Sequence, residues 1–299
     1  MAQPLTLPTA LILVVPPLLW AGNAVIGRLV SEMVPPLTLN FLRWGIALLI
    51  LLPFATPIFR RGSGLLTHWR RYAVLGLLGV GIYNALQYLA LHTSSPINVT
   101  LVGGSMPVWM LAIGALFFGA PVSRRQVTGA VLSIAGVLFV LARGDFAQLL
   151  ALRLVPGDLY MVLATITWSV YSWLLTRGKD EATMRANWAN FLAAQVLYGV
   201  AWSAASVAGE WVLTDARIVW SWNLVAALLY VAIGPSLLAF RAWGVGVQRA
   251  GPAIASFFNN LTPLFAAVLS SAFLGEPPRL YHVIAFALIV GGIAVSSRH

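Results

Sequence analysis

The chain has 299 residues, of which 60% are hydrophobic and only 9% charged, so a soluble globular domain is excluded: too much apolar surface would have no core to fill. The net charge of +10 does not form one basic patch. It is spread as small groups of arginines between apolar runs, which argues against a nucleic-acid partner and for marked cytoplasmic loops. Cysteine is absent, which removes disulfides, thiolate metal sites and a cysteine nucleophile.

Apolar runs long enough for ~20-residue spans follow one another along the whole chain. They fall at 9–29, 36–58, 71–93, 96–119, 126–143, 157–177, 187–208, 218–241, 250–273 and 279–297. The expectation is an all-α integral membrane protein of ten transmembrane helices. The first ten residues carry no basic residue, so the first run is expected to be a retained helix and not a signal peptide.

In chain order, the first segment carries Pro16, Pro17, Trp20 and Asn23 in its middle. The second holds Arg43, roughly seven residues in, and snorkelling to the outer interface is favoured there over contact with a substrate carboxylate. The third holds Tyr83, Asn84, Gln87 and Tyr88, with His92 at its outer end. Pro107 lies inside the fourth, and the fifth has late glycines suited to close helix contact. The sixth segment carries Thr165, Trp168, Ser169, Tyr171 and Ser172, the eighth Gly234-Pro235, and the ninth Asn259, Asn260 and Pro263.

With the N-terminus inside, Lys and Arg divide as twelve in inner loops and tail against five outside, with Arg43 uncounted. That bias places both termini in the cytoplasm. The second half also echoes the first at a shift of 156 residues: Pro96 falls on Pro252, Pro107 on Pro263, Gly119 on Gly275, Pro121 on Pro277 and Gly136 on Gly292. Trp20 matches Trp168 at a different shift. The chain therefore divides into 1–147 and 148–299, two five-helix repeats forming one transmembrane domain. An odd helix number inverts the second copy in the membrane, an arrangement that favours a midplane site between the repeats.

The two stretches that run from Ala90 to Phe139 and from Val245 to Val295 are where a family becomes visible, in a proline opening the helix, a second proline within it, then G-E or its equivalent and a Gly-rich last helix. They resemble the EamA repeat of the drug/metabolite transporter superfamily, and within it the YddG-type exporters of aromatic amino acids are most similar. Gly275-Glu276-Pro277 fits the pattern, whereas Ala120 stands for the acidic residue in the first copy. The resemblance implies secondary transport of small metabolites, with amino acids the expected substrates, across a bacterial inner (plasma) membrane by a multi-pass protein.

The residues add chemistry to that expectation. Neutral polar groups in mid-span must face a partner or a wet cavity. Tyr83 and Gln87 share a helix face, as do Trp168 and Ser172. The candidate substrate-binding set is Trp20, Asn23, Tyr83, Gln87, Trp168, Ser172, Asn259 and Asn260, an aromatic and amide lining suited to a zwitterion with an aromatic or apolar side chain. Pro107, Pro263 and Pro235 are candidate hinges. Trp69, Trp202, Trp211, Trp220 and Trp222 read as interfacial belt residues. All eight acidic residues, Glu32, Asp145, Asp158, Asp180, Glu181, Glu210, Asp215 and Glu276, fall in loops or at helix ends, which favours a facilitator over a proton-coupled antiporter. The chain lacks a P-loop, a Rossmann fingerprint and a D-x-x-D cluster, so neither an enzyme nor an ATPase is expected, and no cofactor or metal. A lipid-modifying membrane enzyme and a channel are the alternatives from other classes. The expected partners are a small-molecule substrate and the bilayer, and a monomer is compatible with the sequence.

Overall fold

The computed structural model describes residues 5–94, 96–150, 153, 155–178, 180–274 and 279–297, and among them the chain is helical with no strand. The first half runs α1 (Leu7–Leu29), α2 (Pro36–Leu51), α3 (Trp69–Thr93), α4 in two pieces (Pro96–Gly104 and Met106–Phe118) and α5 (Arg124–Leu141). The second half runs α6 (Pro156–Leu175), α7 (Trp188–Leu213), α8 (Trp222–Ala250), α9 (Pro252–Phe258, a 3₁₀ turn Asn259–Leu261, then Thr262–Leu274) and α10 (Leu280–Ser296). Among the described residues, seven runs are long and apolar enough to cross a membrane: α1, α2 with its extension to Phe54, α3, α5, α7, α8 and Pro252–Leu269 of α9. Met106–Phe118 and α10 are shorter apolar helices.

The helix interruptions come in matched pairs. α4 breaks at Ser105 and α9 at Asn259–Leu261, and a shift of 156 residues superposes Ser105 on Leu261. Pro107 and Pro263 stand just beyond these breaks, in the first turn of the piece that follows, where the missing N–H has no helical partner to lose. α3 and α8 each widen into a π-helical segment, at Leu77–Ile82 and Ala232–Leu238, and the same shift carries 77–82 onto 233–238. Pro235 sits inside the second of these. The Gly275-Glu276-Pro277 block lies outside the described residues.

Glycine sets how closely the helices approach. On α5 and α10, a Cβ at Gly129 would stand 2.6 Å from the Gly292 carbonyl, and one at Gly292 equally close to the Gly129 carbonyl. On α3 and α7, a Cβ at Gly76 would meet the Gln195 carbonyl at 2.4 Å. Without side chains at these points, backbone meets backbone across both helix pairs.

The acidic residues are spent on helix ends. Glu210, buried near the end of α7, accepts hydrogen bonds from the Leu37 and Thr38 N–H groups at 3.0 and 2.8 Å and from the Thr38 hydroxyl at 2.7 Å, closing the first turn of α2. Asp158, in the first turn of α6, accepts the Val155 N–H at 2.8 Å and the Ser94 hydroxyl from the end of α3. Asp180 pairs with Arg71 at 2.8 Å. All five tryptophans expected in the belt are exposed.

Several segment ends and one residue depart from expectation: the α2 helix stops at Leu51, seven residues short of 58, and α7 runs to Leu213, five past 208. α8 runs to Ala250, nine residues past its expected end, because Arg241 lies on the helix surface over the Trp188 ring instead of opening a loop. Arg43 does not snorkel. It is 0% exposed, because neighbouring helices offer its guanidinium neutral acceptors that the water interface would otherwise supply.

Candidate functional site

Three layers follow one another along α8, and a small void lies beyond the last of them. Where α4, α6 and α8 end and α5 and α9 begin, a wide cleft of about 1640 Å³ opens. Its wall includes Trp173, Thr176, Val247 and Ile254, and its charged residues are Arg124, Arg125, Arg177 and Arg249, with no carboxylate among the described residues. Two glycines have positive φ here: Gly119 at +63° ends α4 just before Ala120 of the lining, and Gly251 at +83°, itself in the lining, turns α8 into α9. Arg177 is held there by the Phe118 carbonyl at 2.8 Å.

Between roughly 6 and 10 Å further along α8, at the 1.5 Å rise of a helix, come Trp243 and Phe240. They belong to an aromatic layer centred on Trp168 of α6. Its ring centroid lies 5.3 Å from Trp20, 4.6 Å from Tyr83, 5.0 Å from Tyr171, 5.2 Å from Phe240 and 5.5 Å from Trp243. Trp44 joins through Phe240 at 4.7 Å. The Trp20–Trp168 planes stand at 89°, the edge-to-face geometry that the ring quadrupoles favour. Ser172 accepts the Trp243 indole N–H at 3.1 Å, and Tyr171 donates to Gln195 at 3.0 Å. The sequence leads one to expect a cavity lined by these rings, whereas the structure packs them against one another, with Trp168 and Trp243 fully buried.

One turn further along, the π segments build a polar layer. A π turn leaves backbone carbonyls without their usual helical donors, and side chains take them up. Asn84 donates to the Gly79 carbonyl at 3.2 Å, Asn40 to Val80 at 3.1 Å, and the Trp20 indole N–H to Pro235 at 3.2 Å. Arg43 occupies the space between the two segments. Its Nε donates to the Ser236 hydroxyl at 2.9 Å, and its Nη1 to Tyr88 at 2.8 Å, Asn84 at 3.2 Å and Asn23 at 3.3 Å. Tyr88 in turn donates to Asn23 at 3.0 Å. The guanidinium carbon lies 5.3 Å from the Trp44 ring, so the polar and aromatic layers touch. Beyond Tyr88 lies a small void of about 20 Å³, bounded by Gly27, Ser31, Leu39 and His92 among others.

The structure thus brings Trp20, Tyr83, Trp168 and Ser172 into one cluster and sets Asn23 in the adjoining polar layer. Gln87, one turn beyond Tyr83, is partly exposed on α3. Asn259 and Asn260 are elsewhere. They occupy the 3₁₀ turn of α9, where Asn259 donates to the Met106 sulfur and Asn260 to the Ser133 hydroxyl at 2.9 Å. Their amides tie the broken helices to α4 and α5. Sequence reasoning left out Trp44, Ser236, Phe240 and Trp243. Trp243 fell past the expected end of its segment. Ser236 carried a usable signal, because it follows Gly234-Pro235, where a helix must give up backbone bonds.

Comparison with known proteins agrees with this architecture. The model of the EamA-like transporter family matches residues 7–142 and again 155–298. The uncharacterized transporter YyaM of Bacillus subtilis is 26% identical, over 85% of this chain and 82% of its own length. The uncharacterized inner membrane transporter YedA of Escherichia coli is 24% identical, over 93% and 87%. The aromatic amino acid exporter YddG of Ancylobacter novellus is 26% identical, over 75% of each chain. A solved crystal structure at 22% identity shares the fold, with a TM-score of 0.73 over 96% of both chains.

Proposed function

We propose a transport mechanism for this chain from one premise: it belongs to the EamA-like transporter family, whose model its two halves match separately. The chain is a secondary transporter of the bacterial inner membrane that exports small metabolites, foremost amino acids with an aromatic or apolar side chain. Its repeats, 1–147 and 148–299, are inverted five-helix units of a ten-span protein with both termini in the cytoplasm. The cleft at the ends of α4, α6 and α8 is then the cytoplasmic mouth, and the structure corresponds to a state open inward and closed outward at Tyr88.

The observation that carries this reading is the order of layers on one axis: basic mouth, aromatic cluster, buried polar centre, small outer void. An aromatic side chain entering from the mouth exchanges ring contacts among Trp20, Trp168, Phe240 and Trp243 for contacts with itself, so little stacking is lost. The matched breaks in α4 and α9, beside Pro107 and Pro263, and the matched π segments in α3 and α8, with Pro235, supply bending points at the same depth in both repeats. Exchange of the two repeats' shapes turns an inward opening into an outward one. The described carboxylates that are buried, Asp158 and Glu210, are committed to helix ends, which supports a facilitator that runs down the substrate gradient.

The test is uptake into proteoliposomes with a panel of amino acids. Aromatic and large apolar substrates should show saturable flux with trans-stimulation. Trp168→Ala and Tyr83→Ala, checked for folding by size exclusion, should lose it. Normal flux in both variants means that the path lies elsewhere, and stoichiometric proton counterflow means that the carrier is not a facilitator.

A further inference from the structure

We infer that Arg43 is an anion receptor, and that its free Nη2 takes the carboxylate of the transported molecule. This rests on the reading of the central layers as the transport path and names the charged group recognised there.

A buried guanidinium is held at high cost unless something compensates it. Arg43 is 0% exposed, and every group that meets it is neutral: Ser236 at Nε, and Tyr88, Asn23 and Asn84 at Nη1. Among the described residues no carboxylate forms an ion pair with it. Its Nη2, with two N–H donors, has no hydrogen-bond partner among the described residues. The acceptors present are enough to fix the plane of the guanidinium and leave the charge open.

The surroundings repeat the pattern. The buried indole N–H groups of Trp44 and Trp168 also lack acceptors among the described residues. Trp44 stands beside the Arg43 guanidinium, and Phe240 links it to Trp168. A spare acceptor is present as well, Asn40 Oδ1 three residues before Arg43, but it is neutral, so the component that the region lacks is negative charge. An orphaned buried donor costs about 1–3 kcal/mol, and one on a charged group costs more, so a ligand that reaches Nη2 recovers that cost. The aromatic layer on the inner side of Arg43 adds an apolar requirement. The ligand chemistry that fits both is a carboxylate carried on an aromatic or large apolar group. Nη2 is the contact atom, because Nη1 is already held by two amide oxygens and a phenol.

The test uses purified full-length protein in detergent and compares indole-3-propionate with its neutral amide, indole-3-propionamide, by the concentration dependence of thermal stabilisation. These two differ in charge and little in shape. On the wild type the acid should bind about tenfold to hundredfold more tightly, the range for one charge-assisted hydrogen bond in a buried site. Arg43→Gln should bring acid and amide level. Asn84→Asp supplies an internal counter-ion next to Nη1 with hardly any change in volume, and should abolish the preference even if Arg43→Gln does not fold. Equal binding of acid and amide on the wild type overturns the proposal. So does a preference for the acid that survives Asn84→Asp. Flux of L-tryptophan is read separately: acid preference without tryptophan transport removes the amino-acid reading and leaves the anion site standing.

Discussion

α3 and α8 hold the same frame and fill it differently. Each has a π segment at the same repeat position, 77–82 and 233–238. Past it, α3 presents Asn84 and Gln87, and the repeat shift puts Phe240 and Trp243 at those places on α8. One copy builds a hydrogen-bonded layer around a cation, and the other builds a packed layer of rings. In an inverted arrangement the two helices run opposite ways, so the same substitution pattern puts the polar layer toward one membrane face and the rings toward the other. A duplicated backbone can in this way give an asymmetric path from symmetric bending points. The two layers should also respond differently to change. Hydrogen bonds to a buried cation are directional and costly to lose, whereas rings in van der Waals contact can be exchanged for other apolar groups.

The largest expected effect breaks the polar layer. Asn84 works in both directions: its Oδ1 receives Arg43 Nη1, and its Nδ2 covers the Gly79 carbonyl freed by the π turn. Asn84→Leu keeps the volume and removes both bonds, leaving Nη1 with Asn23 and Tyr88 alone and the Gly79 carbonyl without its side-chain donor. The expected loss is about 3–5 kcal/mol, one hydrogen bond to a charged group plus one buried carbonyl left unsatisfied. Unfolding in mixed detergent micelles, followed by tryptophan fluorescence, measures it. A loss below about 1 kcal/mol would mean that Asn23, Tyr88 and Ser236 hold Arg43 without help.

The aromatic layer gives a smaller and different response. Phe240 meets Trp20, Trp44, Trp168 and Tyr171. Phe240→Leu stays apolar and loses some ring edge contacts, so it should cost less than about 1.5 kcal/mol. Its consequence should appear in selectivity: the ratio of phenylalanine to leucine flux should fall, because one wall of the layer loses a stacking partner. A change in stability as large as that of Asn84→Leu would erase the distinction between the two layers.

How much of this is readable from the sequence follows from the same contrast. The rings were visible because Trp and Tyr in mid-span are unusual in lipid and because helical spacing puts Tyr83 with Gln87 and Trp168 with Ser172. The matched prolines at 107 and 263 marked the helix breaks, since proline removes a backbone bond wherever it stands. Arg43 was misread for a physical reason. Its distance from the end of the segment allows a long side chain to reach water, and sequence cannot show that Asn23, Asn84, Tyr88 and Ser236, from three other helices, converge on it. The π segments were invisible for a similar reason, because widening by one residue per turn depends on what the neighbouring helices offer to the released carbonyls. Asn259 and Asn260 show the limit of the mid-span rule. They obey it by finding partners, Met106 and Ser133, but those partners join helices and lie outside the aromatic cluster.

The smallest expected effect comes from asking what an arginine does where water reaches it. Arg249 lies exposed on the cleft wall, in the same mouth as Arg124, Arg125 and Arg177, and among the described residues no carboxylate lines that mouth. In solvent its charge binds little and acts mainly by raising the local concentration of anions, an effect confined to about 10 Å at 0.1 M salt. Arg249→Gln should therefore slow the entry of indole-3-propionate by about threefold at low ionic strength and by nothing measurable at 1 M salt, with the strength of binding at Arg43 unchanged. L-Tryptophan has no net charge, so its entry should be the same in both proteins at either salt concentration. Stopped-flow quenching of tryptophan fluorescence reads both rates. A salt-independent loss of binding in Arg249→Gln would make this residue a direct ligand, and the division between a steering mouth and a recognising centre would then have to move outward to the cleft wall.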